Sequence, residues 1–337
     1  MTAPGTSPRP RVPATRLVVA LLGLVLLVVS IRQAGWSAIL TSVASVGPWL
    51  IAVVALGAAR MAVRAQAWTV CSRAHHAGGI PFSAAFAATL AADALGNLTP
   101  LGLLASEPAK VMMGRRHVPT SASLSSVAVE NGFYTASVLA MLLGGVWVLL
   151  QRADVPPMLE RAGELVVAAS AAGLVLALWM FRARPALLSR AADFLTRVRG
   201  IPTSREALIA LERSVYDVAR WPIGRLVLVA AWETMFHVFA VTEVWLILRT
   251  MPASEHAGFT DAFLMETAGR FITVAFKFIP YRLGIDEMGS GSVSQLLGLG
   301  ASTGVALALV RRVRILLLNA VGVLLLARAP SHDTVAS

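Results

Sequence analysis

The chain has 337 residues, is 57% hydrophobic and 14% charged, and has a mean hydropathy of +0.72. Soluble domains carry roughly 25% charge, so the composition excludes an ordinary soluble enzyme and points to one polytopic membrane unit; the alternating strands of about 10 residues that a barrel needs do not recur. The formal charge of +11 comes from 29 basic residues, 27 of them arginine, scattered between and within apolar runs; that pattern excludes a bare nucleic-acid-binding face and fits cytoplasmic loops beside anionic headgroups.

Residues 1–15 read as a disordered basic tail, with Pro4, Pro8, Pro10 and Pro13 interleaved with Arg9 and Arg11. Residues 17–31 form an apolar run after that charge. Ser30-Ile31-Arg32-Gln33-Ala34-Gly35 lacks the usual small-x-small cleavage site, so an uncleaved first transmembrane helix with a cytoplasmic tail is expected. A cleaved signal is the alternative. Residues 36–46 read as a short surface helix. A second span starts near Pro48 and runs past Arg64, and a third covers 80–98. The fourth, fifth, sixth, seventh and eighth spans are expected at 120–150, 163–181, 221–248, 259–279 and 303–326. Between the fifth and sixth, residues 182–220 are expected to be cytoplasmic. There, Leu187, Leu188, Ala191, Phe194, Leu195 and Val198 recur at helical spacing, and Leu208, Leu211, Val215 and Val218 suggest a second amphipathic helix. Each could lie on lipid or on the protein. Residues 329–337 read as a disordered tail. The single cysteine, Cys71, rules out an internal disulfide framework and reads as a small buried side chain.

Two stretches echo each other across 180 residues. Pro100, Gly102 and Glu107 follow one apolar run; Pro280, Gly284 and Glu287 follow another. In each, a glutamate lies seven residues beyond a proline, and a fresh apolar helix comes next. Paired interruptions at matching places are the pattern of a transporter binding site. The expected fold is therefore all-α, a polytopic membrane helical bundle of about eight transmembrane helices plus two interrupted or re-entrant segments in an inverted repeat. The domain is expected to span 16–328, in the inner (cytoplasmic) membrane.

Ionisable groups inside spans are expensive, about 2.5–3.5 kcal/mol each on insertion scales, and several occur here. They are Glu130 with Asn131, then Glu233, His237 and Glu243, then Glu266, Arg270 and Lys277, then Arg311, Arg312 and Arg314 with Asn319. Their near balance predicts mutual pairing around an internal cavity. Glu233 and His237, four apart, read as a local hydrogen bond or a proton relay. Glu266 and Arg270 read as an intrahelical ion pair. Arg60 and Arg64, near the end of the second span, are expected to snorkel to the headgroups. Arg311, Arg312 and Arg314 lie too deep to snorkel and call for partners such as Asp286, Glu287 or an anionic headgroup. Glu107 and Glu287 read either as caps of broken helices or as titrating and headgroup-contacting carboxylates. One histidine beside a glutamate is too small a ligand set for zinc, so no metal is expected. The chain has no Gly-x4-Gly-Lys-Ser/Thr loop, so neither is ATP hydrolysis.

Asn97-Leu98-Thr99-Pro100, Gly102 and Glu107, the basic residues beyond them and Glu130 resemble the first signature of the lysylphosphatidylglycerol synthase transmembrane region, also called the flippase-like domain. Pro280, Gly284-Ile285-Asp286-Glu287, Leu299-Gly300 and Arg311-Arg312 resemble the second, and the span layout is similar beyond about residue 15. The chain departs from the pattern in lacking an arginine soon after the first glycine, and in carrying Pro108 and Lys110 after Glu107. It ends at Ser337 with no soluble aminoacyltransferase domain, so synthesis of an aminoacylated lipid by this chain alone is not expected.

The resemblance implies movement of a phospholipid or lipid-linked headgroup between leaflets, often beside an enzyme that makes the lipid; with the buried arginines and the missing nucleotide loop, the expected cargo is anionic and the expected transfer needs neither ATP hydrolysis nor a cofactor. The expected substrate site comprises Pro100, Gly102, Glu107, Glu130, Asn131, His237, Arg270, Pro280, Gly284, Asp286, Glu287, Arg311 and Arg312. Two other readings stand beside it. One is an intramembrane enzyme using Asp286, Glu287 and His237 as acid and base. The other is a membrane partner that recruits a synthase or glycosyltransferase through residues 182–220.

Overall fold

Proline punctuates this chain. Helices that begin directly after one include α1 (Trp49–His75) after Pro48, α2 (Phe82–Leu98) after Pro81, α4 (Thr120–Leu150) after Pro119, and α7 (Ile223–Arg249) after Pro222. A residue with no N–H and a fixed φ loses nothing at a helix start, where donors are unpaired anyway. The remaining helices are α3 (Gly102–Gly114), α5 (Pro157–Ala183), α6 (Arg205–Tyr216), α8 (Phe259–Ala275), α9 (Ile285–Leu296) and α10 (Ala301–Arg328). The structure, a computed structural model, describes residues 46–99, 102–151, 157–184, 205–276 and 284–328, with isolated residues 40, 41, 44, 190 and 282. Among them there is no strand, and the chain is an all-α membrane bundle.

Helix α1 is the hub. It packs on α2, α4, α7 and α10, so its polar residues face inward from every side. Around its first half, Val53 joins Val244, Ile247 and Leu248 of α7, Met265 of α8 and Val310 of α10 in one buried cluster. Around its second half, Ala65 and Trp68 pack with Ala85 and Ala88 of α2, Val111 of α3 and Val127 of α4. Trp68 is wholly buried and donates its indole N–H to Ser126 Oγ at 3.0 Å, which removes the cost of burying that donor. Small residues make the close contacts, as expected where lipid supplies no hydrophobic drive between helices.

The helices that follow the two interruptions pack differently: α3 lies mainly on the preceding α2, α9 mainly on the following α10, and α10 also packs on α2. Backbone meets backbone in the α2–α3 and α9–α10 pairs. A Cβ on Gly102 would strike the Gly96 carbonyl, and one on Gly304 would strike the Ser290 carbonyl. Gly304→Ala is therefore expected to cost at least the roughly 1–3 kcal/mol typical of overpacking. Thermal unfolding in one detergent checks this, with Gly132→Ala, where a Cβ meets nothing within 4 Å, as the control.

Four described helices are long and apolar enough to cross a membrane: α1, α4, residues Gly163–Met180 of α5, and α7; α2 is shorter but apolar. The expected spans at α8 and α10 are helices too, but α8 has only 17 residues and α10 carries Arg311, Arg312 and Arg314. Helix α5 packs on α4 and leaves Leu165, Val175 and Leu178 exposed, as a lipid-facing helix should. The second amphipathic helix of the expected soluble stretch is α6. It lies on α4, with Glu212 and Tyr216 buried, so it is a connector on the protein. The tails, the first transmembrane helix, nearly all of the 36–46 helix, all but residue 190 of the 187–198 amphipathic helix, and residues Pro100, Lys277 and Pro280 lie outside the described residues.

Candidate functional site

Mid-helix placement brings charge to the centre of the bundle. Arg60 is the twelfth of 27 residues of α1, and Arg314 the fourteenth of 28 in α10. At 1.5 Å per residue both sit far from either helix end. Together with neighbours on α2, α3, α4, α7, α8 and α9 they enclose a cavity of about 470 Å³.

Its wall is strongly cationic. Arg60, Arg64, Lys110, Arg270, Arg282, Arg311, Arg312 and Arg314 line it, against three carboxylates, Asp93, Glu107 and Asp286. The balancing acids stand behind the wall. Glu243 pairs with Arg60 at 3.2 Å, Arg311 at 3.7 Å and, closely, Arg314. Glu266 pairs with Arg270 one turn on and with Arg311 at 2.7 Å. Glu130 holds Arg64 at 2.6 Å and Lys110 at 2.7 Å. Glu287 holds Arg312 at 2.5 Å. Glu130, Glu243 and Glu266 are fully buried. The arrangement neutralises the protein interior while presenting guanidinium N–H groups inward, which is how a site takes an anion in low dielectric.

Aromatic rings fix the guanidiniums. Arg60 lies 4.6 Å and Arg270 5.2 Å from the centroid of Phe236, and Arg64 lies 4.2 Å from that of Tyr134. The ring faces offset some of the repulsion among like charges.

The first interrupted segment delivers its expected residues to one place. Glu107 Oε2 accepts a hydrogen bond from Asn131 Nδ2 at 2.6 Å, and Asn131 Oδ1 accepts one from Arg64 at 3.3 Å. Gly102, Glu107 and Asn131 all line the cavity, and Glu130 stands behind it as counter-ion. The second segment divides its carboxylates. Glu287 accepts from the Gly284 N–H at 2.9 Å, so it caps α9 while pairing with Arg312. Gly284 itself has φ 79°, a value that favours glycine. Asp286 faces the cavity and pairs with Arg282 at 3.1 Å. Arg270, Arg311 and Arg312 line the cavity as expected.

Two expectations need correction. Arg60 and Arg64 do not snorkel: α1 continues to His75, so both arginines lie inside the bundle against Glu243 and Glu130. His237 is not bonded to Glu233 and does not line the cationic cavity. Its Nε2 meets Ser137 Oγ at 2.9 Å, its ring stacks on Tyr134, and it faces a separate groove. Arg60, Arg64, Asp93, Lys110, Tyr134, Phe236, Arg282 and Arg314 also line the cavity, beyond the residues the sequence singles out for the site; for Arg314 the signal is its place one helical turn beyond Arg311. Among the described residues no group of three or more His, Cys, Asp or Glu could hold a metal ion.

Residues 14–322 match the family described as the lysylphosphatidylglycerol synthase TM region. No curated protein and no solved structure shows a significant match.

Proposed function

Because the chain belongs to the lysylphosphatidylglycerol synthase transmembrane-region family, we propose that this multi-pass membrane protein of lipid metabolism carries an anionic phospholipid between leaflets without ATP hydrolysis. The observation that carries this reading is the cavity wall, eight cationic side chains to three carboxylates in the middle of an apolar bundle. A phosphate needs such a wall to leave the headgroup layer, since an unpaired charge in hydrocarbon is costly. Guanidiniums already seated on Glu130, Glu243 and Glu266 can lend N–H groups to a phosphate without being stranded when it departs. Glu107 and Asp93, on the same wall, suit hydroxyl or amine groups of the headgroup.

On this reading the protein sits in the cytoplasmic membrane with the arginine-rich 182–220 region and the N-terminus inside, following the positive-inside rule. It works beside the enzyme that makes its lipid, and changes no covalent bond itself. Reconstitution into liposomes tests the reading. With fluorescent phosphatidylglycerol in the inner leaflet and an external quencher, the protein is expected to speed quenching in the absence of nucleotide. Fluorescent phosphatidylcholine should move more slowly. Anionic-lipid transfer no faster than in protein-free vesicles would defeat the proposal.

A further inference from the structure

A second concavity of about 320 Å³ lies between α4, α7 and α8. On the proposed reading of the cationic cavity, we propose that this groove seats one acyl chain of the same phospholipid whose headgroup the cavity holds.

The chemistry of its walls selects hydrocarbon. Ala140, Met141, Val238, Val241, Phe259 and Phe263 are six of the nine described residues that line it. Its two hydroxyls are spent on the protein: Ser137 donates to the Tyr134 carbonyl at 2.7 Å and Thr234 to the Ala230 carbonyl at 2.8 Å. Among the described residues no carboxylate, lysine or arginine lines it, and Nε2 of its one imidazole, His237, meets Ser137 Oγ at 2.9 Å. Val238 and Phe259 at its edge are 43% and 53% exposed, so in a bilayer the groove meets lipid. Pockets of this size and lining bind apolar ligands.

Its position selects which hydrocarbon. Tyr134 and Phe236 line the cationic cavity, and His237 lines the groove. The Tyr134 and His237 rings stack with centroids 6.3 Å apart, and Phe236 stands edge-on to both at 5.6 Å and 5.3 Å. One layer of rings therefore separates a phosphate-binding chamber from an apolar groove. An amphiphile whose headgroup enters the first must lay its chains on the nearest apolar surface, and the second supplies it. The outer face of α5, with Leu165 and Leu178 exposed, is also apolar but is absent from the cavity wall.

The test uses the full chain in liposomes with phosphatidylglycerol bearing a diazirine in mid-chain. After irradiation, peptide mass spectrometry is expected to place adducts on Met141, Val241 and Phe263. Excess unlabelled phosphatidylglycerol should remove them and phosphatidylcholine should not. Ala140→Phe, at an exposed position whose new ring fills the groove, should abolish the adducts and slow transfer about tenfold, the scale of a mismatch in an apolar pocket. Val238→Phe, from the other wall, should act alike. Adducts spread over α5, adducts that phosphatidylcholine competes equally (bulk lipid only), adducts from a second copy's contact surface, or wild-type transfer in both folded variants would each overturn the groove site. Competed groove adducts without any wild-type transfer would uphold the groove and remove the translocase reading.

Discussion

Replacing Glu243 with glutamine is expected to destabilise the bundle by about 3–5 kcal/mol, the cost of breaking a buried pair from one side. Glu243 is 0% exposed and is the counter-ion of Arg60 and Arg314, both buried, and the more distant of two carboxylates, after Glu266, that pair with Arg311. Glutamine keeps the size and one acceptor but leaves two guanidiniums facing each other across the cavity wall with no carboxylate between them. Arg311 can turn wholly to Glu266; Arg60 and Arg314 have no other ion pair among the described residues. Denaturant or thermal unfolding of the purified protein in one detergent reads the loss. Adding Arg314→Met to Glu243→Gln should recover part of it by removing one stranded charge. Glu233 supplies the control. It is equally buried on the same helix, yet its carboxylate oxygens have no hydrogen-bond partner and it has no ion pair among the described residues. Glu233→Gln is therefore expected within about 1 kcal/mol of wild type, the range of substitutions that break no named interaction. Equal losses for the two glutamates would mean that burial, and not pairing, sets the cost.

What the sequence disclosed about this site followed the range of its interactions. The Glu266–Arg270 pair is one helical turn apart and was readable as such. Gly102, Glu107, Glu130 and Asn131 were readable as a segment, because an interruption in an apolar run and a charge in the next helix are both local signals. The Arg60–Glu243 pair joins residues 183 apart, and no local pattern encodes it. Arg60 and Arg64 were misplaced because a 20-residue span from Pro48 would end just past them, whereas α1 runs 27 residues. Phe236 was invisible for another reason: an apolar residue in an apolar span carries no signal, although three guanidiniums gather near its ring. The four-residue spacing of Glu233 and His237 does place them on one face of α7, but tertiary packing gives His237 to Ser137. The four-helix neighbourhood of α1, which turns its arginines inward, is likewise a property of packing alone.

Redundancy among the counter-ions makes Arg64 and Arg311 the side chains whose loss should affect transport far more than folding. They are also two of the cations that reach furthest into the cavity, with side chains 16% and 19% exposed against 8% or less for Arg60, Lys110, Arg270, Arg312 and Arg314. Removing Arg64 leaves Glu130 its contact with Lys110. Removing Arg311 leaves Glu266 with Arg270, and Glu243 with Arg60 and Arg314. No carboxylate is stranded in either case. A hydrogen bond to a charged partner contributes about 1.5–3 kcal/mol, and a factor of ten corresponds to about 1.4 kcal/mol. Each of Arg64→Gln and Arg311→Gln is therefore expected to slow phosphatidylglycerol transfer roughly 10–100-fold while the unfolding midpoint stays close to wild type. The double variant should multiply the two losses if the arginines grip different oxygens, and fall short of the product if they share one. Arg311→Lys should be intermediate, because an ammonium keeps the charge and loses the two-pronged geometry. Initial transfer rates in matched liposomes, set beside unfolding midpoints of the same preparations, make the check. Wild-type rates in both folded single variants would mean that the phosphate never meets this wall, and the cavity would then be a structural charge network only.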